Sequence, residues 1–194
     1  MLTLTTRNQL IIGLLLAVSM ILTRSHHSLT LHNQVDASWA IFFLAGIYLR
    51  TVWPLLSFSI LSCWLDSAAA TWSGINDYYL TSAYMPAYYS LWFAGHWYTY
   101  RYQLTLHTSF PLLLSATSGL ILCELFSSGG FYFFSGRFTE TTWNNFGTQL
   151  IKYFPLYIET FIVYIGATAV IHLSYTVFTQ QYNSHVTPQQ DSAI

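Results

Sequence analysis

The sequence predicts an all-α integral membrane protein with six transmembrane helices. Only 7% of its 194 residues are charged and 54% are hydrophobic, whereas a soluble domain carries roughly 25% charged residues. Apolar segments of about the length that crosses a bilayer alternate with polar segments. They cover residues 9–23, 36–50, 54–72, 83–98, 110–126 and 154–178. A chain of this length has no room for a further soluble domain, so we expect one membrane domain over residues 1–194.

The balance of charges excludes one class of partner. The formal net charge is −1, and no basic stripe is present that could neutralise nucleic-acid phosphates. We therefore expect no nucleic acid as a partner, but lipid, membrane proteins or a small ligand. The two cysteines, Cys63 and Cys123, lie inside apolar segments, where a cysteine ordinarily acts as a small hydrophobic residue.

The first apolar segment lies between Arg7 and Arg24 and is followed by His26 and His27. Because no small residues mark a cleavage site there, we expect a retained helix rather than a signal peptide. Gly13 and Ala17 are four residues apart, a spacing that lets another helix approach closely.

Three histidines, His26, His27 and His32, share the polar loop 25–34. Two interpretations are open, because no cysteine or acidic cluster at ligand spacing accompanies them: contact with a metal or ligand, or a solvated loop. The second segment begins at Asp36, which we expect to cap the helix and to complement its dipole.

Four ionisable residues lie inside later apolar segments: Asp66, Glu124, Glu159 and His172. Such side chains are costly at membrane depth and should face protein or water. Asp66 is either a proton or ion site or the partner in a structural hydrogen bond to a neighbouring helix. If the four residues line one buried path, the chain is a proton-coupled carrier or a membrane enzyme, which is the alternative function.

The central stretch 72–100 joins the third and fourth segments through a short polar turn at 73–77. A group of tyrosines follows the turn, namely Tyr78, Tyr79, Tyr84, Tyr88 and Tyr89. Such rings suit a large, partly flat ligand with polar edges, because they offer apolar faces together with hydrogen-bonding hydroxyls. The other interpretation is an interfacial aromatic belt, which forms in membrane proteins of any function.

A long loop is predicted after the fifth segment, over residues 127–152. Glycines interrupt an aromatic run in this loop, and long ordered loops are often lids or binding loops. Its polar contacts would come from Arg137, Glu140, Trp143, Asn144 and Asn145.

Six spans place both termini on one side of the membrane. The histidine loop, the central turn and the long aromatic loop then emerge together on the opposite face, where they would form the mouth of a pocket. Basic residues do not decide the orientation. Arg7, Arg50 and Arg101 fall on one face, and Arg24, Arg137 and Lys152 on the other.

Two motifs carry a resemblance to a known family. The run DASWAIFFLAGIYLR at 36–50, followed by a Trp-Pro step, resembles the second helix of BtuM-type cobalamin transporters of Gram-negative bacteria. The central turn, NDYYLTSAY at 76–84 followed by PAY at 86–88, is similar to the corresponding loop of that family. The helix count and the loop pattern extend the likeness over most of the chain.

The resemblance implies a six-helix substrate-binding component like those of energy-coupling-factor (ECF) vitamin transporters. Such a protein captures cobalamin with loops one, three and five on the outer face of the bacterial cytoplasmic membrane. Its termini are then cytoplasmic, and an ECF-type energising module is a possible partner. By the same similarity, Gly13 and Ala17 are a candidate docking stripe for that partner.

The resemblance also implies a set of ligand contacts, with cobalamin as the bound substrate and no catalytic cofactor. His32 is the candidate cobalt ligand, because imidazole suits that metal. The candidate residues for binding the ring and its polar edges are Trp39, Trp72, Asp77, Tyr79, Tyr84, Tyr88, Arg137, Asn144 and Asn145.

One residue departs from the family pattern. Many relatives carry a cysteine in the central loop that can ligate cobalt, and the matching position here is Tyr79. A phenol is a poorer cobalt ligand than a thiolate. We therefore expect no cysteine-dependent removal of the upper cobalt ligand (decyanation), no catalytic residues and no enzymatic activity.

Overall fold

The computed structural model describes residues 6–25, 37–49, 51–73, 78–136 and 138–186. All regular elements in these residues are helical, which confirms the predicted all-α fold. The α-helices are α1 (Thr6–Ser25), α2 (Ser38–Tyr48), α3 (Val52–Ser73), α4 (Tyr78–Arg101), α5 (Ser109–Glu124), α6 (Gly130–Phe134) and α7 (Trp143–Val186). A π-helical turn, Leu125–Gly129, joins α5 to α6 without a break. Counted with α5 and α6 as one, the described residues form six helices.

Three helical segments are long and apolar enough to cross a membrane: Thr6–Arg24, Ser109–Phe134 and Trp143–Val170. Two shorter segments, Ser38–Tyr48 and Val52–Ala68, are also apolar. These lengths and compositions are those of a membrane protein. α4 covers the fourth predicted segment but is not among these apolar segments, because it carries several tyrosines and serines and a histidine.

The second helix is the centre of the bundle. All 11 residues of α2 are buried, as expected of a helix that is hydrophobic on every side. Its 11 residues rise only about 16 Å, less than the roughly 30 Å hydrocarbon core of a bilayer. The helix observed in the predicted segment 36–50 is therefore shorter than expected and covers only Ser38–Tyr48. Ala37 rather than Asp36 occupies the N-cap position, without a side-chain cap, and Asp36 lies outside the described residues.

Two glycines bring α2 and α4 into backbone contact. A Cβ atom added at Gly46 would overlap the carbonyl oxygen of Trp92, and one added at Gly95 would overlap the carbonyl oxygen of Phe43. Glycine is therefore required at both positions, since close approach of two helix backbones needs residues without a side chain.

The opposite face of α4 packs on α5. A Cβ added at Gly119 would lie 2.8 Å from the Cβ of Ala94, and the hydroxyl of Ser115 donates to the carbonyl oxygen of Ala94 at 2.6 Å. α4 thus lies between α2 and α5, and this arrangement determines which α4 residues face each of the two neighbouring helices.

The long loop predicted over 127–152 is wrong in extent, because helix continues to Phe134 and resumes at Trp143. The glycines that suggested a break have helical dihedral angles, with φ −65° at Gly129 and −56° at Gly130. The aromatic run stabilises this continuation, because the ring of Tyr132 packs on those of Phe138 and Phe146. The Tyr132 hydroxyl also donates to the Glu140 carbonyl oxygen and accepts from the Thr142 N–H, both at 3.2 Å.

Candidate functional site

A buried arginine joins the first four helices. Arg24, in the last turn of α1, is only 8% exposed. Its Nε donates to Oδ1 of Asp66 on α3 at 2.7 Å, and its Nη2 donates to Oδ2 at 2.8 Å. Its Nη1 donates to the hydroxyls of Ser38 on α2 at 2.8 Å and of Tyr88 on α4 at 3.0 Å. We call these four residues the arginine cluster.

The arginine cluster decides between the two interpretations of Asp66. Its carboxylate forms a bidentate ion pair with a neighbouring helix, so the structural hydrogen bond is confirmed. The sequence did not identify Arg24 or Ser38 as site residues, and it treated Arg24 as a charge flanking the first span. A signal was present, because a single acid in one apolar segment and a basic residue at the end of another are expected to pair.

An aromatic stack continues from the cluster. The ring of Tyr88 lies parallel to that of Phe42, with centroids 4.4 Å apart and an interplanar angle of 4°. The ring of Tyr84 stacks beside it at 5.8 Å and 14°. Tyr88 is 2% exposed, whereas Tyr84 is half-buried. Of these two predicted ligand contacts, Tyr84 therefore offers accessible surface and Tyr88 supports it from behind.

A narrow cleft with a cavity volume of about 10 Å³ lies between α2 and α7. The ring of Trp39 stacks on that of Tyr157, with centroids 4.8 Å apart and an interplanar angle of 21°. Ligand pockets for drug-sized molecules enclose roughly 300–1,000 Å³. A cavity of about 10 Å³ has room for roughly one water molecule, so the cleft is not a ligand pocket. Its lining residues are Ala37, Trp39, Ala40, Tyr157, Thr160, Phe161 and Tyr164.

Glu124 is a second buried ionisable group. Its side chain is 1% exposed, and neither carboxyl oxygen has a hydrogen-bond partner among the described residues. The π-helical turn begins at the next residue, and such turns are frequent at functional sites. Intramembrane acids that are not paired are candidates for ion or proton binding.

The buried polar groups gather towards one end of the bundle. Arg24 lies in the last turn of α1, and Ser38 is the first residue of α2. Asp66 lies in the last third of α3, Tyr88 in the first half of α4, and Glu124 at the end of α5. This is the end at which α1, α3 and α5 finish and α2 and α4 begin. We call it the loop end.

The remaining predicted residues are only partly described. Asn144 and Asn145 are exposed in the first turn of α7, near Trp143, and Glu140 is exposed in the preceding connection. Trp72, Tyr79 and His172 occupy helical positions, but their side chains are not described. His26, His27, His32, Asp77 and Arg137 lie outside the described residues.

Two of the four proposed relay residues do not fit one shared buried path. Asp66 is paired with Arg24, while Glu159 is exposed on α7. Within the part of the chain that the structure describes, no group of three or more His, Cys, Asp or Glu residues could hold a metal ion.

Gly13 and Ala17 lie on the inner face of α1. Both are half-buried, and a Cβ added at Gly13 would lie 3.6 Å from Cδ1 of Leu49, the residue that follows α2. Ala17 packs against the hydrophobic core. In this arrangement the pair serves packing within the chain, and its role in docking a partner stays a prediction.

No protein-family model matches the chain, and a search of curated proteins finds no significant match. Function is therefore argued from the residues themselves.

Proposed function

We propose that this protein binds a corrinoid, cobalamin, at the loop end and takes part in its uptake across the bacterial cytoplasmic membrane. One observation carries the proposal: the two motifs that resemble BtuM-type transporters pack against each other. Phe42 of the first motif stacks on Tyr88 of the second, and Arg24 hydrogen-bonds to one residue of each motif, Ser38 and Tyr88. The two motifs thus pack together in the interior of the bundle, near the loop end.

The corrinoid would lie at the loop end and not in the α2–α7 cleft, because the cleft, with a cavity volume of about 10 Å³, is far smaller than a pocket for such a ligand. Aromatic faces would pack on the macrocycle, with Tyr84 as the candidate among the described side chains and Trp72 and Tyr79 among the others. Trp39, which is buried and stacked on Tyr157, would support the site from the interior. Polar edges of the ligand would be bonded by Asp77, Arg137, Asn144 and Asn145. His32 remains the proposed cobalt ligand.

The proposed architecture is a single six-span bundle like an ECF substrate-binding component. The burial of Arg24 bears on its orientation, because a charge paired inside the bundle does not count in the positive-inside rule. In the proposed six-span topology, Arg7, Arg50 and Arg101 would lie on the face of the termini and Arg137 and Lys152 on the opposite face, so the remaining basic residues favour cytoplasmic termini.

Uptake would proceed without covalent chemistry on the corrinoid. Tyr79 replaces the family's cysteine, so decyanation by a thiolate is not part of the proposal. Cobalamin is the transported substrate, and the proposed partner is an ECF-type energising module that docks in the membrane.

The visible spectrum of the purified protein tests the proposal. We expect protein purified in detergent from cells supplied with cobalamin to be coloured, because a bound corrinoid absorbs visible light and should be present at one molecule per chain. Protein from cells grown without corrinoid provides the colourless control. Colourless protein from the supplied cells, which then takes up no added cobalamin, would rule the function out.

A proton-coupled carrier is the second candidate, and the burial of Glu124 is the observation that favours it. The other three proposed relay residues do not support it. Asp66 is held by Arg24 and Glu159 is exposed, while the side chain of His172 is not described.

A further inference from the structure

One acidic side chain on α7 faces away from the bundle. Glu159 is exposed, and it has no hydrogen-bond or ion-pair partner among the described residues. It lies inside the span Trp143–Val170, about 24 Å along the helix from Trp143 and about 17 Å from Val170. Both distances exceed the reach of a glutamate side chain. An acid at that depth is costly in lipid and is expected to face protein or water.

The opposite side of α7 is the one that packs on the bundle. The ring of Tyr157 stacks on that of Trp39 with centroids 4.8 Å apart, and the ring of Phe161 meets that of Phe43 edge-on at 5.5 Å. Since an α-helix turns by about 100° per residue, Glu159 lies roughly 160–200° around the helix from Tyr157 and Phe161. The bundle therefore does not offer a partner to this carboxylate.

The exposed surface around Glu159 has the spacing of a helix–helix contact. Exposed residues recur here at alternating intervals of four and three, as they do along packed membrane helices. They are Pro155, Glu159, Ile162, Gly166 and Ala169, which we call the outer face of α7. The space beside Gly166 is open, and a residue without a side chain lets a second helix approach closely.

α1 shows what a purely lipid-facing surface looks like in this chain. It exposes Leu10 by 71% and Leu14 by 67%, and no ionisable residue lies between Arg7 and Arg24. Lipid tails can cover such a surface completely. The outer face of α7 differs because lipid tails provide neither a charge nor a hydrogen bond for Glu159.

A second copy of the chain in the same orientation does not provide the missing charge. Two parallel α7 helices related by a two-fold axis would place Glu159 opposite its own counterpart, where like charges repel. In the described part of the chain, the exposed basic residues are Arg7, Arg101 and Lys152. Arg7 and Arg101 lie at helix ends, and Lys152 lies about 10 Å along α7 from the level of Glu159. The complementary charge is therefore expected on a different protein.

We propose that the outer face of α7 binds a transmembrane helix of a partner protein, which presents a lysine or arginine to Glu159 inside the membrane. Apolar and small residues of that helix would pack over Ile162 and Gly166. The ion pair selects the partner, because a helix with an apolar or acidic residue at that level leaves the carboxylate unpaired. This surface does not depend on corrinoid binding, since it lies about 21 Å along α7 from Asn145.

Energy transfer to a synthetic transmembrane peptide tests the proposal. The probe is a leucine-rich peptide of membrane length with one central lysine, and the matched peptide carries leucine at that position. In liposomes that contain the donor-labelled full chain, we expect the lysine peptide to bind about tenfold more tightly than the leucine peptide. This is the scale of one polar contact between membrane helices. Equal binding of the two peptides would overturn the proposal.

Glu159→Gln removes the charge and keeps the size of the side chain. We expect it to abolish the tenfold preference for the lysine peptide. The melting temperature should stay the same, because the side chain is exposed and unpaired among the described residues. A preference that persists in Glu159→Gln would show that the carboxylate does not bind the basic residue, and the proposal would fail.

Gly166→Leu and Gly147→Leu form a matched pair that tests the face. Both glycines lie on α7 with open space beside them, but they are about 100° apart around the helix. Gly166→Leu should weaken binding of the lysine peptide about tenfold by blocking close approach, and Gly147→Leu should leave it unchanged. Equal effects would contradict a contact at the outer face. Energy transfer between wild-type copies that Glu159→Gln abolishes would identify a second copy as the occupant and would also overturn the proposal.

Discussion

Gly46→Ala should destabilise the protein by about 3 kcal/mol, the upper part of the usual range for overpacking a well-packed interior. The added methyl group would overlap the carbonyl oxygen of Trp92, and its next neighbour would be the backbone nitrogen of His96. A backbone cannot rotate away as a side chain can, so α2 and α4 would have to separate along the whole interface. Thermal unfolding in detergent, followed by circular dichroism, measures the loss.

Gly147→Ala is the matched control for this substitution. Gly147 also lies within a helix, but no atom is within 4 Å of the position that its Cβ would occupy. Alanine is favoured over glycine in helices by about 1 kcal/mol, so this variant should be unchanged or slightly more stable. If Gly46→Ala melted at the same temperature as Gly147→Ala, the close contact between α2 and α4 would be wrong.

Arg24→Leu should be the second strongly destabilising substitution, at about 3–5 kcal/mol, because it leaves a carboxylate without its charge partner inside the bundle. The side chain of Asp66 is 28% exposed, so partial solvation places the expected loss at the lower end of that range. Thermal unfolding under the same conditions provides the measurement.

The double variant Arg24→Leu/Asp66→Leu separates charge pairing from simple loss of contact. Each single variant leaves one unpaired charge, whereas the double variant leaves none, and apolar replacement of a buried pair is often neutral. We therefore expect the double variant to be more stable than either single variant. Additive losses in the double variant would show that the two residues do not interact.

The approximate positions of the helices follow from the sequence, because a long apolar segment in a bilayer satisfies its own backbone hydrogen bonds by forming a helix. The helical continuation from α5 into α6 was not predicted, since two adjacent glycines at 129–130 normally indicate a break. Tertiary packing overrides that local signal, as the ring of Phe146 contacts Tyr132 and Phe133 across the connection.

The arginine cluster shows a different limit of sequence reasoning. The sequence alone marks Asp66 as unusual, because it is an acidic residue inside an apolar segment. Its partner, however, is 42 residues away on another helix. Pattern and spacing describe neighbours along one helix, and they do not specify which faces of two helices meet. The same limit applies to Tyr88. Its residue type predicted a contact with the ligand, but contacts with α1 and α2 bury the side chain.

Calorimetric titration of the ligand-free protein with cobalamin tests the central claim most directly. The protein would be purified from cells grown without corrinoid and reconstituted in lipid nanodiscs, with empty nanodiscs as the control. The proposed function predicts saturable binding of one cobalamin per chain, which is absent from the empty discs. Heats that match those of the empty discs, from protein that still unfolds cooperatively, would contradict corrinoid capture by this chain.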